Sequence, residues 1–154
     1  MHSNSQGVSA SFTRPADTTA YASGDLVANS TTAGSVTPLT FTSAHGFGAL
    51  VRARIEKSHK STTNAAFDLH LFEKSPTVAN GDNGALSIAD LAGYLGKVSV
   101  TVNALAGATT GASGNADASA VCPSGAIVYG LLAATAAYTP ASAEVFTVTL
   151  LHRD

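Results

Sequence analysis

The residues that could carry acid–base, nucleophilic or metal chemistry are few and scattered. Histidines stand at His2, His45, His59, His70 and His152, and the single cysteine is Cys122. A strand-borne metal site of the two-histidine type needs histidines one residue apart. His70 alone falls mid-strand by pattern, and its partner position is Phe72. Zinc-type spacing around Cys122 is missing. With one cysteine no intrachain disulfide can form, and Cys122, followed by Pro123, reads as a small core or edge residue rather than a reactive thiol. Gly111-Ala112-Ser113-Gly114 stops short of a G-x-S-x-G nucleophile elbow because residue 115 is Asn. Neither G-x-G-x-x-G nor G-x-x-x-x-G-K-[ST] occurs. Asp68 and Glu56 could meet across a hairpin with His70 beside them, and convergence of these three in a deep pocket would suggest an enzyme. A glycosidase would also want an aromatic platform, and the chain has no Trp and only Tyr21, Tyr94, Tyr129 and Tyr138. Asp82-Asn83-Gly84 lacks the alternating ligands of a calcium loop and reads as a plain turn. The expectation is therefore no catalytic residue, no metal ligand, no cofactor, and a protein that is not an enzyme.

The elements that would position such residues are strands. In Ala49 to Ser58, Val51, Ala53 and Ile55 alternate with Arg52, Arg54 and Glu56, the period-2 pattern of a sheet with one wet face. Ala65 to Lys74 repeats it, with Phe67, Leu69 and Leu71 inward and Asp68 and His70 outward. These two strands are close in sequence and are expected to pair antiparallel. Leu95 to Asn103 (Val98, Val100, Val102 inward) and Glu144 to His152 (Phe146, Val148, Leu150 inward) follow the same rule. Ala126 to Tyr138 is apolar at nearly every position. Its β-branched and aromatic opening, Gly130 and the nearby Pro140 favour a strand buried on both faces. Shorter strands are predicted at Asp25 to Ala28 and Val36 to Thr42, the second disturbed by Pro38.

Between the strand groups lies Phe67 to Gly96, the longest connection with internal order. It breaks at Ser75-Pro76, turns at Asn80 to Gly84 and is expected to make one short helical turn near Ile88 to Leu91, joining the two halves of the molecule. Ala104 to Ala120 is a Gly/Ala/Ser/Thr run with one charge, Asp117, and reads as a mobile or partner-ordered loop. Residues 1–11 read as a flexible N-terminal arm, free or docked, and residues 12–154 as a single domain. The fold class is all-β: an antiparallel β-sandwich, a jelly roll of about eight strands with one short helical turn.

Charged residues are 12% of the 154, about half the usual share, so Ser, Thr, Asn and Gly must supply the polar surface. A formal net charge of -2 argues against general nucleic-acid binding. Five of the eight cationic residues (Arg52, Arg54, Lys57, Lys60, Lys74) are interleaved with Glu56, Asp68 and Glu73, which reads as a solvated strand face. No secretory signal is visible, and the longest apolar run is too short to span a bilayer, so neither a membrane nor nucleic acid is an expected partner.

Three stretches together resemble a known class: Ser11 to Ser30 (SFTRPADTTAYASGDLVANS), Leu69 to Val98 (LHLFEKSPTVANGDNGALSIADLAGYLGKV) and Tyr129 to Asp154 (YGLLAATAAYTPASAEVFTVTLLHRD). The combination is similar to the jelly-roll capsid cement, or decoration, proteins of tailed bacteriophages. The resemblance implies a viral structural protein made in the bacterial host cytoplasm and placed on the outer capsid surface of the virion. There it would bridge subunits of the major capsid protein, as a homo-oligomer, dimer favoured and trimer possible. The family carries no catalytic residues. An alternative reading is a sugar-binding β-sandwich module of a phage tail or head fibre, which would need an exposed cluster of Tyr21, Tyr94 and Tyr138.

Overall fold

A computed structural model describes residues 5–153 as nine strands: β1 (Ser5–Thr13), β2 (Leu26–Val27), β3 (Leu39–Thr42), β4 (Ala49–Lys57), β5 (Ala66–Phe72), β6 (Tyr94–Thr101), β7 (Ala112–Asp117), β8 (Ile127–Ala134) and β9 (Val145–Arg153). They form two antiparallel sheets. The first has the order β1-β9-β4-β7, the second β2-β8-β5-β6 with β3 also on β8. β2 and β3 pair with successive parts of β8 and are two pieces of one interrupted strand. Counted so, the molecule is a four-on-four jelly roll, the expected fold class. Every connection between its eight strands except β5 to β6 passes from one sheet to the other.

That topology corrects the expected β4–β5 hairpin. β4 pairs with β9 and β7, and β5 with β8 and β6. Both strands turn an apolar face inward, and such faces bury more by stacking across a sandwich than by sharing one sheet. The core lies between Leu50, Ala53, Ile55, Phe146, Val148 and Leu150 of the first sheet and Phe67, Leu69, Leu71, Val98, Val100, Val128 and Leu132 of the second. Phe67 meets Phe146 edge-on across it at 5.3 Å between centroids. A register shift between Leu50 and Arg52 puts Leu50, rather than Val51, into the core. Lys57 departs from the solvated face assigned to it and is buried.

β8 is central and covered on both sides, as its composition predicts. Val128 and Leu132 point into the core, and Leu131 joins a second cluster with Leu26, Ala28, Phe72 and Val78 on the outer face of the second sheet. The connection of residues 73–93 covers that cluster, with Leu86 and Ile88 packed against it. This connection therefore returns to its own sheet and caps it, instead of joining the two sheets. Its expected helical turn is absent because Ile88 forms a β-bridge with Val78; the one short helical turn among the described residues is the 3₁₀ turn Ala33–Ser35.

Two low-complexity segments are ordered. Residues 5–11 of the expected arm belong to β1, which pairs with β9 residue for residue from Ser5 to Thr13; residues 1–4 lie outside the described residues. Within Ala104 to Ala120, β7 pairs with β4 from Arg52 to Lys57. Its small residues are required there: Asn103 and Ser113 exchange backbone hydrogen bonds of 3.0 and 3.2 Å, and a Cβ on Gly114 would lie 2.0 Å from the Thr101 carbonyl oxygen. Only a residue without a side chain lets the two sheets close on this side.

Candidate functional site

Two clusters combine acids, bases and tyrosines. The first is buried and is assembled from five separate segments. Arg14, just past β1, places Nη2 3.0 Å from Asp82 Oδ2, and both side chains are fully buried. The Tyr21 hydroxyl donates to Asp82 Oδ1 at 2.6 Å, and the Ala28 amide donates to the same oxygen at 2.8 Å. Arg14 Nε donates to the Tyr21 hydroxyl oxygen, and Nη1 donates to the Asp17 and Ala141 carbonyls. At the end of β4, Lys57 Nζ stands 2.9 Å from Glu144 Oε1, again with both side chains fully buried. The Tyr138 hydroxyl donates to Glu144 Oε2 at 2.7 Å. The two halves meet where Tyr21 and Tyr138 lie parallel, their centroids 6.3 Å apart.

Burial, and then the adjoining carboxylates of Asp82 and Glu144, push the Tyr21 and Tyr138 hydroxyls far above their ordinary range. Both remain donors. Each buried charge has an opposite charge and further hydrogen bonds, the condition under which buried ions are tolerated. The network ties the 80–84 turn to the end of β1, and the loop after β8 to the end of β4. Its chemistry is cross-linking, with every carboxylate already occupied.

The second cluster lies on the outer face of the second sheet, at the margin of its cap. Asp68 on β5 accepts from Lys97 Nζ at 2.8 Å and Ser99 Oγ at 2.5 Å, both on β6. His70 Nδ1 and the Tyr94 hydroxyl are 3.0 Å apart. With Ser23, Leu86 and Thr135, Asp68 and His70 line a shallow groove. Burial alone would raise the Asp68 carboxyl, but the hydrogen bonds from Lys97 and Ser99 outweigh it and hold it below the usual carboxylate range. Burial pushes His70 down, with Asp68 opposing. The groove can offer hydrogen bonds, and each Asp68 oxygen already accepts one from a neighbour on β6.

The imagined Asp68, His70 and Glu56 grouping does not form. Glu56 is on the outer face of the first sheet, paired with Arg54 at 3.3 Å, and the whole sandwich separates it from the other two. Tyr21 and Tyr138 are buried, so the exposed tyrosine cluster of a sugar site is reduced to Tyr94. His45, His59 and Cys122 are exposed and apart, and His152 is buried against Phe47. His2 lies outside the described residues. Among those residues no three of His, Cys, Asp and Glu gather where they could hold a metal ion.

The outer face of the first sheet carries rows of small polar groups and charges across its strands. One row is Ser9, Thr149, Arg54 and Asn115; the next is Ser11, Thr147, Glu56 and Ser113. Ser9 and Thr149 share a 2.7 Å hydroxyl hydrogen bond. No protein-family model matches the chain, and no curated protein matches it significantly.

Proposed function

We propose that this protein is a structural component of a tailed-bacteriophage virion that binds the outer capsid surface and bridges major capsid protein subunits, without catalysis. The observation that carries this reading is the contrast between the two sheet faces of a jelly roll. The second sheet is partly capped by its own chain, while the first presents a broad, hydroxyl-rich, solvent-facing surface. Such a surface suits contact with another polar protein lattice. The three stretches that resemble cement proteins add to it. They cover the last three residues of β1 with the loop and β2 that follow, the cap with the adjoining parts of β5 and β6, and most of β8 through β9, and so include parts of both sheets. Binding only the assembled shell would stabilise it by linkage, by about 2.7 kcal/mol per site at a free concentration of roughly 100 times the dissociation constant.

Purified protein mixed with capsids that lack it is expected to co-sediment with them and to raise their resistance to heat or chelation. Failure to co-sediment would overturn the reading.

A further inference from the structure

The four edges of the two sheets differ in how they are protected. An edge strand offers unpaired N–H and C=O groups to any other strand, and proteins block this with short strands, charges, prolines, bulges or covering segments. The edge formed by β2 and β3 is broken into pieces of two and four residues, with Pro38 between them. β6 carries Lys97 and a register shift at its start, and its chain continues into the Asn103–Ser113 bridge. β7 is six residues long, is partly covered by that bridge and carries Asp117. β1 has none of these devices. It is nine residues of SQGVSASFT without a charge or a proline, and its register with β9 runs without a shift.

From Gly7 to Thr13, every backbone hydrogen bond of β1 among the described residues goes to β9. Alternate residues in such an edge direct both backbone groups away from the sheet. On the inner side Val8, Ala10 and Phe12 are only partly buried, beside a groove bordered by Pro38, Leu39 and Thr40. β3 lies near β1 across the sandwich with no backbone bridge to it among the described residues, whereas on the opposite side the Asn103–Ser113 bridge links the chain after β6 to β7.

We propose that the open edge is filled by the same edge of a second copy, with residues 7–13 of the two chains pairing antiparallel about a two-fold axis at Ala10. That register places Val8 opposite the partner's Phe12, Ser9 opposite its Ser11, and Gly7 opposite its Thr13. The pairing joins two four-stranded sheets into one of eight. A second copy is the occupant the edge fits because an antiparallel strand pair is self-complementary across a two-fold axis. An uncharged strand meets itself without repulsion, and each copy brings the apolar residues that cover the other's half-exposed ones. The outer faces of both first sheets then form one continuous surface, doubling the contact area available to a capsid. The inference goes beyond the proposed function and can fail separately, since it concerns the protein free in solution.

Sedimentation equilibrium on the purified chain is expected to give twice the chain mass. In S9K/S11K, opposed lysines face each other twice across the axis, and the mass is expected to fall to that of one chain. The control S113K/N115K adds the same charge at the β7 edge and is expected to remain dimeric. Near-ultraviolet circular dichroism checks that both variants stay folded. If S9K/S11K unfolds, S11K alone replaces it and is expected to weaken dimerisation at least tenfold. A monomeric wild type, a dimer unaffected by the β1 substitutions, or equal dissociation of the β1 and β7 variants would overturn the inference. Failure of the dimeric wild-type protein to bind capsids would count against the proposed function alone.

Discussion

The buried network of Arg14, Tyr21, Asp82, Lys57, Tyr138 and Glu144 and the outer cluster of Asp68, His70, Tyr94, Lys97 and Ser99 are made from the same chemistry. Each pairs carboxylates with cations beside tyrosine hydroxyls. Their positions separate their roles. In the network the Arg14–Asp82 and Lys57–Glu144 pairs are fully buried, with the exposed Asp17 as a second carboxylate on Arg14, so each buried charge depends chiefly on its buried partner. In the outer cluster Lys97 keeps half its side chain in water, and water can replace whatever it loses. Acid, base and tyrosine in proximity therefore mark a structural lock in one place and a solvated patch in the other. Burial decides which, and residue type does not.

The difference can be broken most sharply at Asp82. Asp82→Ala removes the buried carboxylate facing Arg14, leaves that guanidinium only the exposed Asp17 carboxylate at 3.3 Å, and is expected to cost about 3 kcal/mol, read as a lowered midpoint in urea unfolding. Glu144→Ala should do the same through Lys57. The triple variant R14M/Y21F/D82L removes the whole first half together and is expected to be more stable than Asp82→Ala alone. A triple variant less stable than the single one would show that the ions contribute more than mutual compensation.

Alkaline titration gives the next largest effect. The folded pKa of Tyr21 and Tyr138 is raised, so their contribution is complete below the ordinary tyrosine value of 10.0 and is lost as pH rises beyond it. Ultraviolet titration is expected to show two tyrosines that ionise only when the protein unfolds. Tyr21→Phe, which removes one donor to Asp82, is expected to cost ~1–3 kcal/mol in the same urea assay.

Changes in the outer cluster should be smaller. Lys97→Ala is expected to lower the unfolding midpoint far less than Asp82→Ala does, since its side chain is half in water. His70 has a folded pKa below its ordinary 6.5, so the unfolded chain takes up a proton first as pH falls. Its contribution is present above 6.5 and is lost as pH drops through the folded value. His70→Gln should flatten the dependence of the unfolding midpoint between about pH 7 and pH 5. If Lys97→Ala matched Asp82→Ala, the distinction drawn from burial would fail.

The outer cluster was more legible in the sequence than the network. Asp68 and His70 follow from alternation with Phe67, Leu69 and Leu71, and the same period exposes β4, β6 and β9. The network has no local signature: Arg14 and Asp82 stand in separate loops 68 residues apart, and tertiary folding alone brings them together. Lys57 reads by its charge as part of a wet face with Arg52 and Arg54, although the alternation that turns Ala53 and Ile55 inward carries Lys57 with them; the register shift at the start of β4 only exchanges Val51 for Leu50. β1 and β7 were hidden by small residues. In β1 the signal was present, since Val8, Ala10 and Phe12 alternate with Ser and Gly. In β7 it was not. Gly114 is dictated by the Thr101 carbonyl across the gap, a neighbour that local pattern cannot reveal. The β4–β5 pairing failed for a related reason, because nearness in sequence does not say whether consecutive strands share a sheet or face each other across one.

Cryo-electron microscopy of tailed-bacteriophage virions assembled with this protein tests the proposed function most directly. The account predicts jelly-roll density on the outer capsid surface, spanning neighbouring major capsid protein subunits. Density confined to the tail or to fibres, or a capsid surface without it, would contradict the account.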